Sequence, residues 1–187
     1  QYLRGLCELA HIEDCVEQWQ HRAEQDIGLT EYLGLTGEEH KTFLCGGRDA
    51  LAALLEPQRR KQRFVLYQLQ LDEENAIPFA FKDITALKAA GYEQPPAAMY
   101  YVAGSGEIYC PAEESDDTLL KRLFADCRER LPEGCRGRPM AISDVVELNH
   151  GTKRAYYYVS GQDQFRQVKF SPMLAKKEIP EKTQERF

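Results

Sequence analysis

Ser143-Asp144, ahead of Val145-Val146, is the pair that most invites a catalytic reading, because a serine nucleophile needs a base and His150 is the nearest histidine in sequence. No spacing brings that imidazole to Ser143, and Ser and Asp at the entry to a strand ordinarily hydrogen-bond nearby backbone. The expected role of both is therefore structural. The acidic pairs Glu113-Glu114 and Asp116-Asp117 suggest a cation or acid/base site, but they precede an expected helix, where acids oppose the positive end of its dipole. Gly104-Ser105-Gly106 and Gly46-Gly47 are too short for a phosphate cradle and lack the Lys-Ser/Thr that completes one. The six cysteines (Cys7, Cys15, Cys45, Cys110, Cys127 and Cys135) include no C-x-x-C pair, and the four histidines His11, His21, His40 and His150 show no zinc-ligand spacing. Reduced, mostly buried thiols are expected, with no metal, no cofactor and no disulfide framework. An enzyme built around Asp144 or Cys135 is the weakest of the readings, and the chain is expected not to be an enzyme.

Binding chemistry has better candidates. Arg136 and Arg138 flank Gly137 in the connection from Pro132 to Pro139, as a small anion-binding corner or as a solvated loop. Tyr156, Tyr157 and Tyr158 put two rings on one strand face and one on the other. If the face of Tyr156 and Tyr158 is uncovered, it forms a protein-contact patch of the kind in which Tyr is enriched. The 187 residues carry a net charge of −6, which argues against a general attraction to phosphate backbones. Leu29–Leu44 reads as a helix-turn-helix with Leu33-Gly34-Leu35-Thr36 as the turn, yet its second helix offers His40 and Lys41 against Glu38 and Glu39. Nucleic acid is thus the disfavoured partner.

The elements that must position these residues follow from periodicity. Leu9, Ile12, Val16 and Trp19 recur at helical spacing, predicting a helix over 3–24. Thr36 with Glu39 forms a capping box for a helix over 37–45, which Gly46-Gly47 stops, and Asp49–Leu55 restarts until Pro57. From Arg63 the period changes to that of a strand, which places a boundary at 57–62. Asp83 caps a helix to Ala90 with Gly91 as its stop, Ala98–Ala103 suits a central strand, and Ser115 or Asp116 opens a helix lined by Leu119, Leu120, Leu123, Phe124, Cys127 and Leu131. Ile142–Leu148 and Arg154–Val159 form a hairpin about Asn149-His150-Gly151, and Gln167–Phe170 is a last strand. The longest apolar runs, Ala50–Leu55 and Ala97–Ala103, are far short of the roughly 18–20 residues of a membrane span, so no membrane insertion is expected.

The run Cys135-Arg136-Gly137-Arg138-Pro139-Met140-Ala141-Ile142-Ser143-Asp144-Val145-Val146-Glu147-Leu148, with Gly151, Ala155-Tyr156-Tyr157-Tyr158-Val159 and Phe165-Arg166-Gln167-Val168-Lys169-Phe170, resembles the YodL-like domain. Phe64-Val65-Leu66-Tyr67-Gln68-Leu69 resembles its first strand, so the likeness spans about 63–172. Where the family has D-S-x-G-F after the tyrosine strand, this chain has Ser160-Gly161-Gln162-Asp163-Gln164-Phe165, one residue longer and without the aspartate in place. No function is carried over through that aspartate. Val16-Glu17-Gln18-Trp19 and Glu31–Glu39 resemble helical segments of proteins of the same genetic setting. The resemblance implies cargo of integrative and conjugative elements of Gram-positive gut bacteria, without implying a chemistry.

The expected fold class is α+β: a small mixed or antiparallel sheet with helices on one face, preceded by a helical segment. The expected organisation is a helical segment at 1–61, the α+β domain at 62–172, and a polar tail or linker at 173–187. Starting at Gln1-Tyr2-Leu3, the chain reads as a piece of a longer reading frame. The expected function is cytoplasmic and non-enzymatic, the binding of an unidentified protein partner through Tyr156, Tyr158, Arg136 and Arg138. A nucleic-acid-directed regulator using the N-terminal half is the alternative.

Overall fold

The computed structural model describes residues 2–22, 27–72 and 74–177. The chain forms two compact units, one of Gln1–Lys61 with Ile108–Glu114, the other of Gln62–Glu107 with Ser115–Phe187.

The first unit is mainly helical: α1 is Ile12–Gln20, α2 is Leu29–Leu33 and α3 is Gly37–Leu55. The helix expected over 3–24 is shorter. Gly5 sits at φ 71, where a Cβ would lie 2.9 Å from the Tyr109 ring, and the chain ahead of α1 makes only two 3-10 turns, Tyr2–Arg4 and Leu9–His11. Residues 23 and 24 of that expected helix lie outside the described residues. The Thr36 hydroxyl accepts from Glu39 N–H at 3.2 Å and Glu39 accepts from Thr36 N–H at 2.7 Å, so the capping box forms as its spacing predicts. Gly47, at φ 67 and ψ −164, kinks α3 where the sequence suggests a stop. Tyr2, Ile12, Leu51 and Leu55 make the small core of this unit.

The second unit holds most of a five-stranded sheet, of which Arg59–Lys61 and Ile108–Pro111 belong to the first. Strands β1 (Arg59–Leu69), β2 (Tyr100–Pro111), β3 (Val145–His150), β4 (Lys153–Gly161) and β5 (Gln164–Val168) lie in the order β2-β1-β3-β4-β5. The pairs β1–β3, β3–β4 and β4–β5 are antiparallel. Hydrogen bonds from Gln70 N to Met99 O and from Ala112 N to Gln58 O, at opposite ends of β1, show that β2 runs antiparallel to it as well. The fold is α+β. The strand begin expected at Arg63 is at Arg59, so the sequence break anticipated at 57–62 falls partly within a strand. The strand expected at Ala98–Ala103 as a central one is instead an edge, longer and shifted. Its Gly104 and Gly106 fit because a Cβ there would meet Cys135 at 2.4 Å and Phe64 at 2.8 Å.

Helix α4 (Ile84–Ala89) starts at Asp83, whose side chain accepts from Ala86 N–H, and ends before Gly91 at φ 90. Helix α5 (Asp116–Cys127) starts at Ser115, whose hydroxyl accepts from Thr118 N–H. It buries Leu119, Leu120, Leu123, Phe124 and Cys127, each large apolar side chain contributing on the order of 1.5–3 kcal/mol. Phe124 meets Phe165, which shares a face with Val159 and Tyr157, so α5 covers that face. Leu87 of α4 packs with Tyr67, Val145 and Tyr158, which point to the opposite face. The helices therefore lie on both faces, where the sequence suggests one, because the chain between β1 and β2 returns over the second face. The last strand is Gln164–Val168, and Phe170, expected within it, instead enters the core beside Tyr67 and Tyr100. Of the tail expected at 173–187, Pro172–Leu174 is a 3-10 turn and Lys176 bridges to Tyr101, whereas residues 178–187 lie outside the described residues. Among the described residues, no helix is long and apolar enough to cross a membrane.

Candidate functional site

The segment 136–144 crosses the end of the sheet and is fixed from within. Arg136 N–H donates to Ala103 O, Gln68 Nε2 donates to Arg138 O at 2.7 Å, and Arg138 N–H donates to Gln68 Oε1 at 3.2 Å. The Tyr101 hydroxyl donates to the same Gln68 oxygen at 3.0 Å. Gly137 fits between them at φ 128, since a Cβ there would stand 2.4 Å from Gln68 Oε1. Only glycine tolerates both that backbone and that approach.

Arg138 and Asp144 then meet in a two-pronged ion pair, Nη1 to Oδ2 at 2.9 Å and Nη2 to Oδ1 at 2.5 Å, with the residues 5% and 0% exposed. Asp144 Oδ2 also accepts from Ala141 N–H at 2.9 Å, and Arg138 Nη1 donates to Pro139 O. Burial opposes the charge on Arg138, but the Asp144 carboxylate outweighs it and holds the guanidinium above its ordinary range. Burial pushes the Asp144 carboxyl up, and the charge and hydrogen bonds of Arg138, the Ala141 N–H and Gln68 pull against it. Replacing a buried pair of this kind by apolar groups is often near neutral for stability, whereas removing one partner alone is costly.

Two residues of this corner, Ser143 and Phe81, have positive φ, 79° and 57°, without being glycine. They are joined: Ser143 Oγ accepts from Phe81 N–H at 3.1 Å, and Ser143 O accepts from the Tyr100 hydroxyl at 2.9 Å. Such conformations cost on the order of 1–3 kcal/mol each and persist only where surrounding contacts enforce them. Their outcome here is the position of the Phe81 ring, which lies 5.0 Å from the Arg138 guanidinium and remains 47% exposed. Ile77, in the same connection, is 62% exposed.

This arrangement revises the candidate residues. Tyr158 is wholly buried, its hydroxyl donating to Lys82 O at 2.9 Å, and Tyr156 is half-buried against Phe170. They do share a face, but the connection before α4 and Phe170 cover it, so the two rings form no exposed contact patch. Arg138 is the buried half of an ion pair, neither a solvated loop residue nor an open anion corner, and of the four candidates only Arg136 is exposed. Asp144 bonds nearby backbone at the Ala141 N–H, but the Ser143 hydroxyl bonds the Phe81 N–H, distant in sequence, and His150 turns away to Asp116, which it meets at 3.0 Å together with the Tyr157 hydroxyl at 2.6 Å. The thiols are less buried than expected: Cys110 and Cys127 are buried, whereas Cys7 and Cys45 are exposed. Burial pushes the Cys127 thiol up to about 12 and raises that of Cys135.

In the N-terminal unit, α2 and α3 flank a turn with Gly34 at φ 66, and the His40 Nδ1 is taken by the Thr30 hydroxyl at 2.8 Å. Lys41 stands beside it near the start of α3, among Glu38 and Glu39. Gln68, Tyr100, Tyr101 and Phe81 were not anticipated as site residues. Gln68 carries a sequence signal, a polar residue in register with Phe64 and Leu66 on the buried face of β1. Phe81 carries none.

The family model of the YodL-like domain matches residues 63–170, more than half of the chain and all of the site around Arg138, Asp144 and Phe81. The chain belongs to the YodL-like domain family. No curated protein and no solved structure matches it.

Proposed function

We propose that this YodL-like domain is a non-enzymatic, cytoplasmic protein-binding module, an accessory domain carried by a mobile genetic element. The observation that carries the reading is Phe81. An aromatic ring nearly half exposed is held on a left-handed backbone by Ser143 and backed by the Arg138 guanidinium. Rigid, exposed aromatic side chains are the anchors on which interface energy concentrates. A non-enzymatic role is supported by how the motif groups are engaged: both Asp144 oxygens accept from Arg138, Ser143 Oγ accepts a backbone N–H, and the nearby thiols are held protonated.

The test is affinity capture from host lysate with the intact reading frame, comparing the wild type with Phe81→Asn. Asn removes the ring yet accepts positive φ. The reading expects a protein retained by the wild type and lost from the variant at an unchanged melting temperature. Equal retention by both overturns it. Recovery of nucleic acid in place of protein supports the alternative, a regulator acting through α2 and α3.

A further inference from the structure

One face of the sheet is covered over only part of its length. Tyr67, Val145 and Tyr158 lie beneath the connection between β1 and β2, but further along the same strands Arg63, Asn149 and Arg154 stand directly opposite one another on β1, β3 and β4. The next row inward includes Val65, Glu147 and Tyr156. A groove of about 480 Å3 opens over Arg63, Val65, Glu147, Asn149 and Arg154, whereas Tyr156 lies outside its lining.

Both arginines are gripped at one end. Arg63 Nε donates to Glu107 at 2.7 Å, and Arg154 Nε lies 3.5 Å from Glu147 Oε1. Glu147 is only 3% exposed, and its other oxygen accepts from the Tyr67 hydroxyl at 2.8 Å. It is therefore a fixed charge that pins Arg154, with the Tyr156 hydroxyl against both. A guanidinium has five N–H donors, so each arginine keeps donors for another acceptor while its side chain stays 73% (Arg63) or 57% (Arg154) exposed. Held this way, the planar fork suits two-pronged recognition of a carboxylate. Between the two stands Asn149, whose side-chain oxygen is buried and makes no hydrogen bond among the described residues.

Two strand spacings put the arginine backbones about 10 Å apart. Carboxylates two residues apart on an extended chain share a face about 7 Å apart, and the long arginine side chains converge from their backbones to meet that spacing. We propose that this groove takes an extended acidic peptide segment of the partner protein, its carboxylates on Arg63 and Arg154. The proposal rests on the protein-binding reading and adds the chemistry of what is bound. The net charge of −6 and the two groove glutamates oppose an anion at long range, so recognition depends on the short-range fork geometry.

The test titrates the full chain with acetyl-Asp-Thr-Asp-Thr-Asp-Thr-amide, following the arginine side-chain Nε–H signals by NMR, with the Asn-for-Asp peptide and inorganic phosphate as separate arms. The proposal expects saturable shifts at Arg63 and Arg154 with the acidic peptide alone, and an affinity about tenfold lower in Arg63→Gln and in Arg154→Lys. Arg154→Lys keeps a cation beside buried Glu147, so the fold is retained while the fork is lost. No saturable shift, an equal response to the neutral peptide or to phosphate, or undiminished affinity in both variants overturns it. If the peptide fails while Phe81-dependent capture persists, the groove alone is refuted; if both fail, the protein-binding reading falls with it.

Discussion

Replacing Asp144 should expose what the buried pair holds. In Asp144→Leu the Arg138 guanidinium keeps its burial and loses both carboxylate oxygens, leaving Pro139 O as its one remaining hydrogen-bond acceptor among the described residues, and the Ala141 N–H loses its partner too. Stranding one member of a buried pair costs about 3–5 kcal/mol. At about 4 °C per kcal/mol for a domain of this size, the midpoint should fall by about 12–20 °C. Arg138→Met strands the carboxylate and should cost about as much. The double variant removes both charges and fills the space with apolar atoms, so it should lie within about 2 kcal/mol of the wild type. Urea unfolding followed by circular dichroism, on all four proteins, gives the coupling energy from the cycle. A coupling above about 2 kcal/mol is expected. If Asp144→Leu costs under about 1 kcal/mol, or if the two single costs add, the pair does not lock segment 136–144 and the reasoning from burial fails.

Gly137→Ala places a Cβ against Gln68 Oε1 on a backbone at φ 128 and should destabilise by about 2 kcal/mol or more, measured by the same unfolding curves. Thr36→Ala removes the α3 capping box and should cost about 1 kcal/mol, with loss of helical signal before global unfolding and no change in the sheet amide signals. Burial raises Tyr67, Tyr100 and Tyr158 above the ordinary value of 10.0 and Tyr101 to about 12. Because these folded values are raised, the stability linked to them is complete below about pH 10 and is lost as pH rises further. Tyrosinate absorbance should therefore lag a denatured control above pH 10 and then rise together with unfolding. A simple non-cooperative titration at the ordinary value would contradict the burial of these rings.

Local chemistry was legible in the sequence and coverage was not. Thr36 with Glu39, Asp83 before α4 and Ser115 before α5 each act within one turn of backbone, so their side-chain types announce the helix starts. The turn at Gly151 and the alternation of β3 and β4 fix the hairpin in the same way. Alternation also says that Tyr156 and Tyr158 share a face. What covers that face is decided by the chain 74–99, which returns over it, and no residue in the tyrosine run encodes that return. Arg138 and Asp144 are six residues apart, yet their burial depends on Gln68 and Tyr101 from β1 and β2. The early break in the expected N-terminal helix falls at Gly5, which has positive φ and lies where a Cβ would meet the ring of Tyr109, about a hundred residues away.

The claim that this domain works by holding Phe81 out to a protein partner is tested most directly by placing a photo-reactive p-benzoylphenylalanine at position 81 of the intact protein in host cells. The account predicts one dominant, light-dependent adduct with another protein, absent when the same group stands at Leu44, which is also exposed but belongs to the helical unit. No adduct at 81, or the same spectrum of adducts from both positions, would contradict it.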